Sequence, residues 1–286
     1  MKISELFKKE KTVFSFEVFP PKKSSSVDTI YRTLDELKEL SPDFISVTYG
    51  AGGSSADNIT EKLAGYIKNT LKIESVAHLT CVNNTKEDIL NILKVFKDEN
   101  IENILALRGD RNPDIESKKD FEYASDLVKF IHENGDFHVS GACYPEGHVE
   151  CTSMIDDILN LKIKAQAGAT HFMSQLFFDN SFFYEFMEKT RIAGINVPIE
   201  AGIMPVVNKN QIERMVSMCG ASLPHKFVKM IHRYEYNPEA LRDAGIAYAT
   251  DQIVDLISNG VDGIHLYTMN NPYIARKISQ SISSLL

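Results

Sequence analysis

The chain has 286 residues, of which 43% are hydrophobic and 24% charged, and its formal net charge is −8. This composition is typical of a globular protein and argues against a disordered or fibrous chain, and the acidic balance argues against a nucleic-acid partner. No apolar run approaches the roughly 18 residues of a membrane span, no segment has signal-peptide character, and the four cysteines form no C-x-x-C pair; we therefore expect no membrane partner and a cytoplasmic location.

Short apolar segments recur along the chain, and seven of the eight start about 30 residues apart, the spacing of βα units. In chain order they are VFSFEVF (13–19), FISVTY (44–49), ESVAHLTC (74–81), NILALRG (103–109), FHVSGACY (137–144), HFMSQLFF (171–178), PIEAGIM (198–204) and GIHLYTM (263–269). Between them, apolar residues at three- and four-residue steps predict helices, as in 29–40, 86–100 and 154–168. Strands that alternate with helices indicate a parallel sheet.

Eight such units favour a closed (β/α)8 TIM barrel, with an open doubly wound sheet as the alternative. The wide gap before the last strand contains three helical patterns, 209–220, 223–235 and 238–260, so we predict extra helices between strands 7 and 8. No linker or change of composition divides the chain. We therefore expect residues 1–286 to form one domain.

The first strand carries a carboxylate in an otherwise apolar segment. Side chains alternate along a strand, so Phe14, Phe16 and Val18 share one face, while Ser15 and Glu17 share the other. The bulky face should pack on the helices, which directs Glu17 into the barrel near its carboxyl-terminal mouth. Barrel enzymes keep their active sites at that mouth.

Other strands also place polar side chains on their inner faces, where barrels usually have Val, Ile and Leu. They include Ser46, Thr48, Ser140, Tyr144, Gln175, Glu200, His265 and Tyr267. Any one of them is explained by a hydrogen-bonded core residue, but together they indicate a ligand-binding mouth. Arg108 and Asp110 end the fourth strand at the same mouth, where a surface ion pair is the alternative interpretation.

Two loops resemble known motifs without matching them. YGAGGSS (49–55) has Ser55 where a dinucleotide-binding G-x-G-x-x-G needs glycine, so it indicates an anion-binding or flexible turn. CYPEGHVEC (143–151) offers His148 and Cys151 as metal ligands, but the partners of a zinc site are missing. We therefore expect no metal.

A set of segments in fixed order resembles the methylenetetrahydrofolate reductase family, in its short bacterial form. They are FSFEVFPPK, SVTYGAGGSS, AHLTC, ILALRGD, YASDLV, YPEGH, GATHFMSQLFFD, GIMPV and HLYTMN, which together span residues 14–270. The resemblance implies an FAD-binding barrel flavoprotein, an oxidoreductase acting on CH–NH groups. It would use NADH or NADPH to reduce 5,10-methylenetetrahydrofolate to 5-methyltetrahydrofolate, which feeds methionine biosynthesis and one-carbon metabolism.

The resemblance also implies roles for individual residues. Glu17 matches the family's acid, which protonates the leaving nitrogen when the folate ring opens to an iminium cation. Asp110 matches the aspartate near the flavin, whose negative charge favours that cation. Gln175 matches the position that contacts pterin or nicotinamide, and Gln211 and Tyr267 are further folate neighbours.

The positions that resemble the family's FAD contacts are Thr48, His78, Leu107, Arg108, Gly109, Asp110, Tyr123, Ala124, Ala142, Tyr144, His148, Asp157 and Lys164. Two positions depart from the family. Ile163 replaces a basic residue, which predicts fewer pyrophosphate contacts, and Met215 replaces an aromatic residue that stacks on the substrate. The resemblance also implies a homo-oligomer.

Two other functions fit the same barrel. A pterin-dependent methyltransferase would bind folate without flavin, and a non-catalytic flavin-binding subunit would bind flavin without turning over. The presence of Glu17, Asp110 and Gln175 together argues against the non-catalytic subunit.

Overall fold

The computed structural model describes residues 1–8, 11–21, 27–49, 59–110 and 118–286, without the side chains of residues 209–211, 213 and 214. Eight parallel strands hydrogen-bond in sequence order, and the last pairs with the first to close the barrel. The predicted TIM barrel is therefore confirmed, and the open-sheet alternative is wrong.

The strands are β1 Val13–Val18, β2 Phe44–Val47, β3 Glu74–Thr80, β4 Asn103–Leu107, β5 His138–Cys143, β6 Phe172–Ser174, β7 Ile199–Ile203 and β8 Gly263–Tyr267. The helices are α1 Val27–Lys38, α2 Ile59–Tyr66, α3 Lys86–Asp98, α4 Ala124–Asn134, α5 Met154–Gln166, α6 Asn180–Ile192, α7 Lys209–Cys219, α8 His225–Tyr234, α9 Pro238–Ser258 and α10 Pro272–Ile282. A 3₁₀ helix, Ile3–Lys8, precedes the barrel, and a π-helical turn, Ile67–Leu71, extends α2.

Local sequence signals set several helix starts. Thr85 and Asp88 form a reciprocal capping box on α3, and Ser153 caps α5 by accepting a hydrogen bond from the backbone N–H of Asp156. The helices α9 and α10 each begin with proline after a capping asparagine. These caps satisfy backbone donors that would otherwise lack partners where each strand–helix connection ends.

The two faces of β1 point as the alternation predicts. Phe14, Phe16 and Val18 are buried in the cluster between sheet and helices, whereas Ser15 and Glu17 face the lumen. The floor of the lumen is apolar, because Ile3 and Leu6 of the 3₁₀ helix close it from below. They pack there with inward-facing residues of the strands, Val13, Phe44, Val76, Leu105 and Met173.

Three helices, α7, α8 and α9, lie between β7 and β8, as predicted. Gly245 lets α9 approach the chain just after β7, since a Cβ there would lie 1.7 Å from the carbonyl oxygen of Val206. A second apolar cluster, which includes Met204, Ile212 and Phe227, builds one wall beside the mouth. Among the described residues, no helix has both the length and the apolar character needed to cross a membrane.

Candidate active site

A cavity of about 380 Å³ opens at the carboxyl ends of the strands. Eight of the predicted site residues line it: Glu17, Thr48, His78, Leu107, Ala142, Tyr144, Gln175 and Tyr267. The rest of the wall consists of Phe19, Leu105, Met173, Ser174, Leu176, Met204, Met215, His265 and Met269. The structure therefore brings together residues that lie on seven strands or directly after them. These residues are up to 250 positions apart in the chain, as are Ser15 and His265, which contact each other beneath the cavity.

Glu17 lies between two imidazoles at the base of this cavity. Its Oε2 atom is 3.6 Å from Nε2 of His78 and 3.6 Å from Nε2 of His265, and its side chain is 18% exposed. Burial lowers the pKa of His78 to about 4, so this ring is neutral at physiological pH. Among the described residues, Nε2 of His78 has no hydrogen-bond partner, which leaves a polar atom available to a ligand.

His265 connects the mouth to a buried polar layer beneath it. Its Nδ1 atom is 2.6 Å from the hydroxyl of Ser15, and its Nε2 atom is 3.3 Å from the hydroxyl of Ser46. The Ser15 hydroxyl also lies 2.9 Å from Oε1 of Glu200. The sequence placed His265 and Glu200 inside the barrel, but their contact through Ser15 could not be read from it.

Glu200 and His171 form a fully buried pair below that layer. Their Oε2 and Nε2 atoms are 3.0 Å apart, without hydrogen-bond geometry among the described residues. Burial raises the pKa of Glu200 to about 7 and lowers that of His171 to about 3, so both groups favour their neutral forms. Gly263 makes room for Glu200, because a Cβ there would lie 2.6 Å from its Cγ atom.

The raised pKa of Glu200 predicts a pH-dependent cost in stability. The folded state holds this proton more tightly than the unfolded state, so the stabilisation is complete below the unfolded pKa and is lost as pH rises towards about 7. Wild type should lose about 2–3 kcal/mol of unfolding free energy through this group as pH rises from 5 to 8. Glu200→Gln, which has no proton to lose there, should not show this loss. Denaturant unfolding of both proteins at several pH values tests this, and parallel curves would contradict it.

Gln175 and Tyr267 stand on the wall between β6 and β8. Oε1 of Gln175 accepts a hydrogen bond from the backbone N–H of Leu176, at 2.9 Å. The Tyr267 hydroxyl donates to the carbonyl oxygen of Ser174, also at 2.9 Å, and burial raises the pKa of Tyr267 well above its ordinary value. Within the part of the chain that the structure describes, the amide N–H groups of Gln175 have no hydrogen-bond partner, and Tyr267 stays neutral.

Asp110 lies on the rim rather than on the cavity wall. It is exposed, and it follows Gly109, whose φ of 86° turns the chain at the end of β4. Arg108 forms a bidentate ion pair with Glu150, at 2.6 and 2.8 Å. The hydrogen-bonded partner of the Arg108 guanidinium is therefore Glu150, and not Asp110 as in the alternative interpretation.

The remaining predicted FAD contacts surround the mouth without lining the cavity. Tyr123 and Ala124 lie at the start of α4, and His148 lies in the loop before α5. Asp157 and Lys164 are on the barrel side of α5, where the Lys164 ammonium donates to the carbonyl oxygen of Ala142 at 2.6 Å. Burial lowers the pKa of Lys164.

Some predictions lie outside the described residues. They are the side chain of Gln211 and the glycine-rich turn from residue 50 onward. Met215, in contrast, lines the cavity together with Met173, Met204 and Met269. The last three of these methionines could not be predicted as wall residues, because a methionine in an apolar segment has the same sequence pattern as a core residue.

The cavity has the size and lining of a small-molecule site. Its volume lies in the usual range of small-molecule sites, roughly 300–1,000 Å³. Apolar side chains from several strands form most of the wall, and the buried Nε2 of His78 offers one unsatisfied polar contact. These properties suit the isoalloxazine ring of a flavin or the ring system of a pterin.

Comparisons with known proteins show which family the chain is similar to. The family described as Methylenetetrahydrofolate reductase matches residues 2–283. The 5,10-methylenetetrahydrofolate reductases of Pectobacterium carotovorum subsp. carotovorum and Escherichia coli K12 are each 36% identical to the chain over 268 residues. Each match covers 94% of this chain, and 89% and 90% of the two relatives respectively.

A solved structure confirms the fold at lower identity. It is described as an uncharacterized protein from Clostridium thermocellum that binds two copies of 5-methyl-5,6,7,8-tetrahydrofolic acid. It superposes with a TM-score of 0.68 at 15% identity and covers 100% of this chain and 99% of its own. The sequence matches extend along the whole barrel and include the segments that carry Glu17, Gln175 and Tyr267. The chain therefore belongs to the methylenetetrahydrofolate reductase family.

Proposed function

We propose that the chain reduces 5,10-methylenetetrahydrofolate to 5-methyltetrahydrofolate, with FAD held at the barrel mouth and NADH or NADPH as electron donor. Family membership supports the reaction. The structural observation that carries the proposal is the position of Glu17, a carboxylate at the base of a largely apolar cavity. On this proposal the protein acts in the cytoplasm as one domain, and its product supplies methyl groups for methionine biosynthesis.

Glu17 is the proton donor of this reaction. Opening the five-membered folate ring requires a proton on the leaving nitrogen, and a carboxylic acid within hydrogen-bond reach can supply it. His78 and His265 flank Glu17, and because His78 is neutral, it is not a cation that would hold the Glu17 carboxylate in its ionised form. The polar layer under His265 keeps this ring fixed while Glu17 transfers its proton.

Gln175 and Tyr267 orient the folate. The free amide N–H groups of Gln175 suit the acceptor atoms of a pterin edge. Tyr267, held through its hydroxyl by the carbonyl oxygen of Ser174, lines the cavity, and Met215 adds a flexible thioether to the wall. The apolar wall excludes water from the bound ring.

The residues that would hold FAD divide into two groups. Thr48, His78, Leu107, Ala142 and Tyr144 would surround the ring system in the cavity. When bound, FAD supplies the hydride-transfer chemistry that no amino-acid side chain offers. Arg108 and Lys164 would supply positive charge to its pyrophosphate, which would require them to leave their present partners, Glu150 and the Ala142 carbonyl.

An anaerobic titration tests this function. The purified chain is reconstituted with FAD and titrated with NADH or NADPH, and 5,10-methylenetetrahydrofolate is then added. We expect the flavin absorbance to bleach with one nicotinamide and to return with the folate. A colourless protein that refuses FAD but binds folate would support a methyltransferase instead. A flavin that neither nicotinamide can reduce would support a non-catalytic subunit.

A further inference from the structure

A row of polar side chains runs from the mouth of the barrel into its core. It starts at Glu17, and Nε2 of His265 lies 3.6 Å from Oε2 of that carboxyl group. On the other side of the imidazole, Nδ1 lies 2.6 Å from the hydroxyl of Ser15, which is 2.9 Å from Oε1 of Glu200. Carboxyl, imidazole and hydroxyl groups can each donate and accept a hydrogen bond. We call the row Glu17–His265–Ser15–Glu200 the proton path.

The inner part of the proton path is closed to solvent. Ser15 and Glu200 are fully buried and His265 is 1% exposed, whereas Glu17 faces the cavity. Below Glu200, its Oε2 atom and both ring nitrogens of His171 have no hydrogen-bond partner among the described residues. In this part of the structure, the hydrogen bonds of Glu200 therefore lead only through Ser15, towards the mouth.

The surroundings of Glu200 keep a proton on it up to about neutral pH. Burial raises its pKa from the ordinary 4.5 to about 7. The carboxylates of Asp43 and Asp262 also raise it, while His265 lowers it. His171, 3.0 Å away, is neutral, since burial lowers its pKa to about 3. A proton-carrying acid thus lies directly beneath the acid at the mouth.

Two hydrogen-bond patterns satisfy the proton path, and they differ by the transfer of one proton. With Glu200 protonated, its O–H donates to Ser15, and the Ser15 hydroxyl donates to Nδ1 of His265. The Nε2–H of His265 then faces an ionised Glu17. In the other pattern every link is reversed: the O–H bond at Glu200 is broken, an O–H bond at Glu17 is formed, and the imidazole carries its proton on Nδ1. Ser15 and His265 each pass on one proton and receive one, so neither changes its charge.

We propose that Glu200 is a proton store for Glu17 and recharges it through the proton path. This inference rests on the proposed function, in which Glu17 gives one proton to the leaving nitrogen in each turnover. The bound rings exclude water from the cavity, so a Glu17 that is ionised when they bind receives its proton from below. When the product leaves, Glu17 takes a proton from water and the path runs back. Glu200 acts through other side chains, so it is a positioning residue and not a catalytic one.

The step at the mouth requires a small movement of Glu17. Its 3.6 Å separation from His265 exceeds a normal hydrogen bond by about 0.7 Å, which the side chain can cover at the open end of the cavity. His78 is equally close, but its ring is neutral and its Nε2 atom has no partner among the described residues. Tyr267, the other titratable group near Glu17, donates its hydroxyl to the carbonyl oxygen of Ser174. Neither residue continues the path downwards.

Ser15→Ala removes the link between Glu200 and His265 and leaves both of them in place. The folate half-reaction of the FAD-loaded protein is followed by stopped flow between about pH 5.5 and about pH 9. In wild type the rate should fall as pH rises through about 7, because Glu200 loses its proton there. In Ser15→Ala the fall should begin at least about one pH unit lower, which is a loss of about tenfold at pH 8. At pH 5.5, where protons from solution reach Glu17 before the folate binds, the rate should stay within about threefold of wild type.

Two other serines separate proton transfer from packing. The Ser46 hydroxyl lies 3.3 Å from the other nitrogen of His265, in the same buried layer but off the path to Glu200. If Ser46→Ala changes the rate, it should do so by the same factor at every pH. Ser279→Ala, which removes a buried hydroxyl that donates within α10, should match wild type. A loss in Ser15→Ala that is the same at every pH would mean that Ser15 only holds the ring, and it would overturn the proposal.

Glu200→Gln is a second variant, which keeps the size and the acceptor oxygen of Glu200 but carries no acidic proton. The rate of its folate half-reaction should fall at the same lower pH as in Ser15→Ala, and it should change by less than about threefold at pH 5.5. A wild-type pH profile in Glu200→Gln contradicts the proposal.

Exchange with deuterium tests the path without folate or flavin. Rapid mixing of the purified protein into D₂O is followed by the infrared carbonyl band of the protonated Glu200 carboxyl, which Glu200→Gln identifies by its disappearance. Exchange in Ser15→Ala should be at least about tenfold slower than in wild type, because it then needs local opening of the barrel. Equal exchange rates overturn the proposal. Slower exchange in a protein whose flavin the folate never reoxidises would support the path and show instead that the proposed function is wrong.

Discussion

Glu17→Gln should abolish folate reduction while the FAD-loaded protein is still reduced by NADH or NADPH. Glutamine keeps the size of the side chain and its place between His78 and His265, but it has no proton to give to the leaving nitrogen. A positioned general acid contributes roughly a hundredfold to ten-thousandfold. We expect the folate half-reaction to slow by at least about a thousandfold.

Stopped-flow measurement of each half-reaction separates this prediction from a general loss of structure. Flavin reduction by the nicotinamide needs no acid, so its rate should change by less than about threefold. Glu188→Gln, an exposed substitution on α6, serves as the control and should match wild type in both halves. Equal losses in the two half-reactions would mean that Glu17 holds the flavin or the fold rather than the proton.

Asp110→Asn should slow the folate half-reaction more than the flavin half-reaction. Its negative charge at the rim favours the cation that forms on the folate and opposes negative charge on the flavin. Unit charges about 8 Å apart interact by about 2 kcal/mol at an effective dielectric constant of 20, and the exposure of Asp110 reduces this. We therefore expect a loss of about tenfold in folate reduction.

The expected effect on flavin reduction, opposite in sign to the effect on folate reduction, makes this prediction specific to the charge of Asp110. Flavin reduction should be unchanged or slightly faster in Asp110→Asn, and the FAD reduction potential should rise, because a nearby negative charge has been removed. Asp98→Asn, an exposed substitution on α3, controls for net charge. Wild-type folate kinetics in Asp110→Asn would remove the electrostatic role of this residue.

The apolar strand segments that recur along the chain, and the three- and four-residue spacing of apolar residues between them, were sufficient to predict the barrel. Each of the eight apolar segments contains the observed strand; the starts differ by at most one residue and the carboxyl ends by one to four. The largest difference is in β6, where the predicted 171–178 contains the strand Phe172–Ser174. The last backbone hydrogen bond to β5 there is donated by the N–H of Gln175 to the carbonyl oxygen of Cys143. The apolar run continues through Phe177 and Phe178 into the core beside α6 and α8.

The 3₁₀ helix that closes the barrel floor was not predicted. The segment ISELFK has too few residues to display a helical period, and its apolar side chains gain their burial from five different strands. The buried pair Glu200–His171 could not be predicted either, because it also depends on contacts between different strands. Glu200 lies in β7 and His171 directly precedes β6, so the two side chains meet only because these strands adjoin in the closed barrel.

By itself, the sequence determined the order and number of the strands, the inward direction of Glu17 and the membership of a family, because these depend on local alternation and on short segments in fixed order. The tertiary structure alone decided which polar residues meet. It placed Glu17 between His78 and His265, joined His265 to Glu200 through Ser15, and set Asp110 on the rim instead of the wall. Such contacts depend on strand register and on the stagger of a closed barrel, which no local pattern encodes.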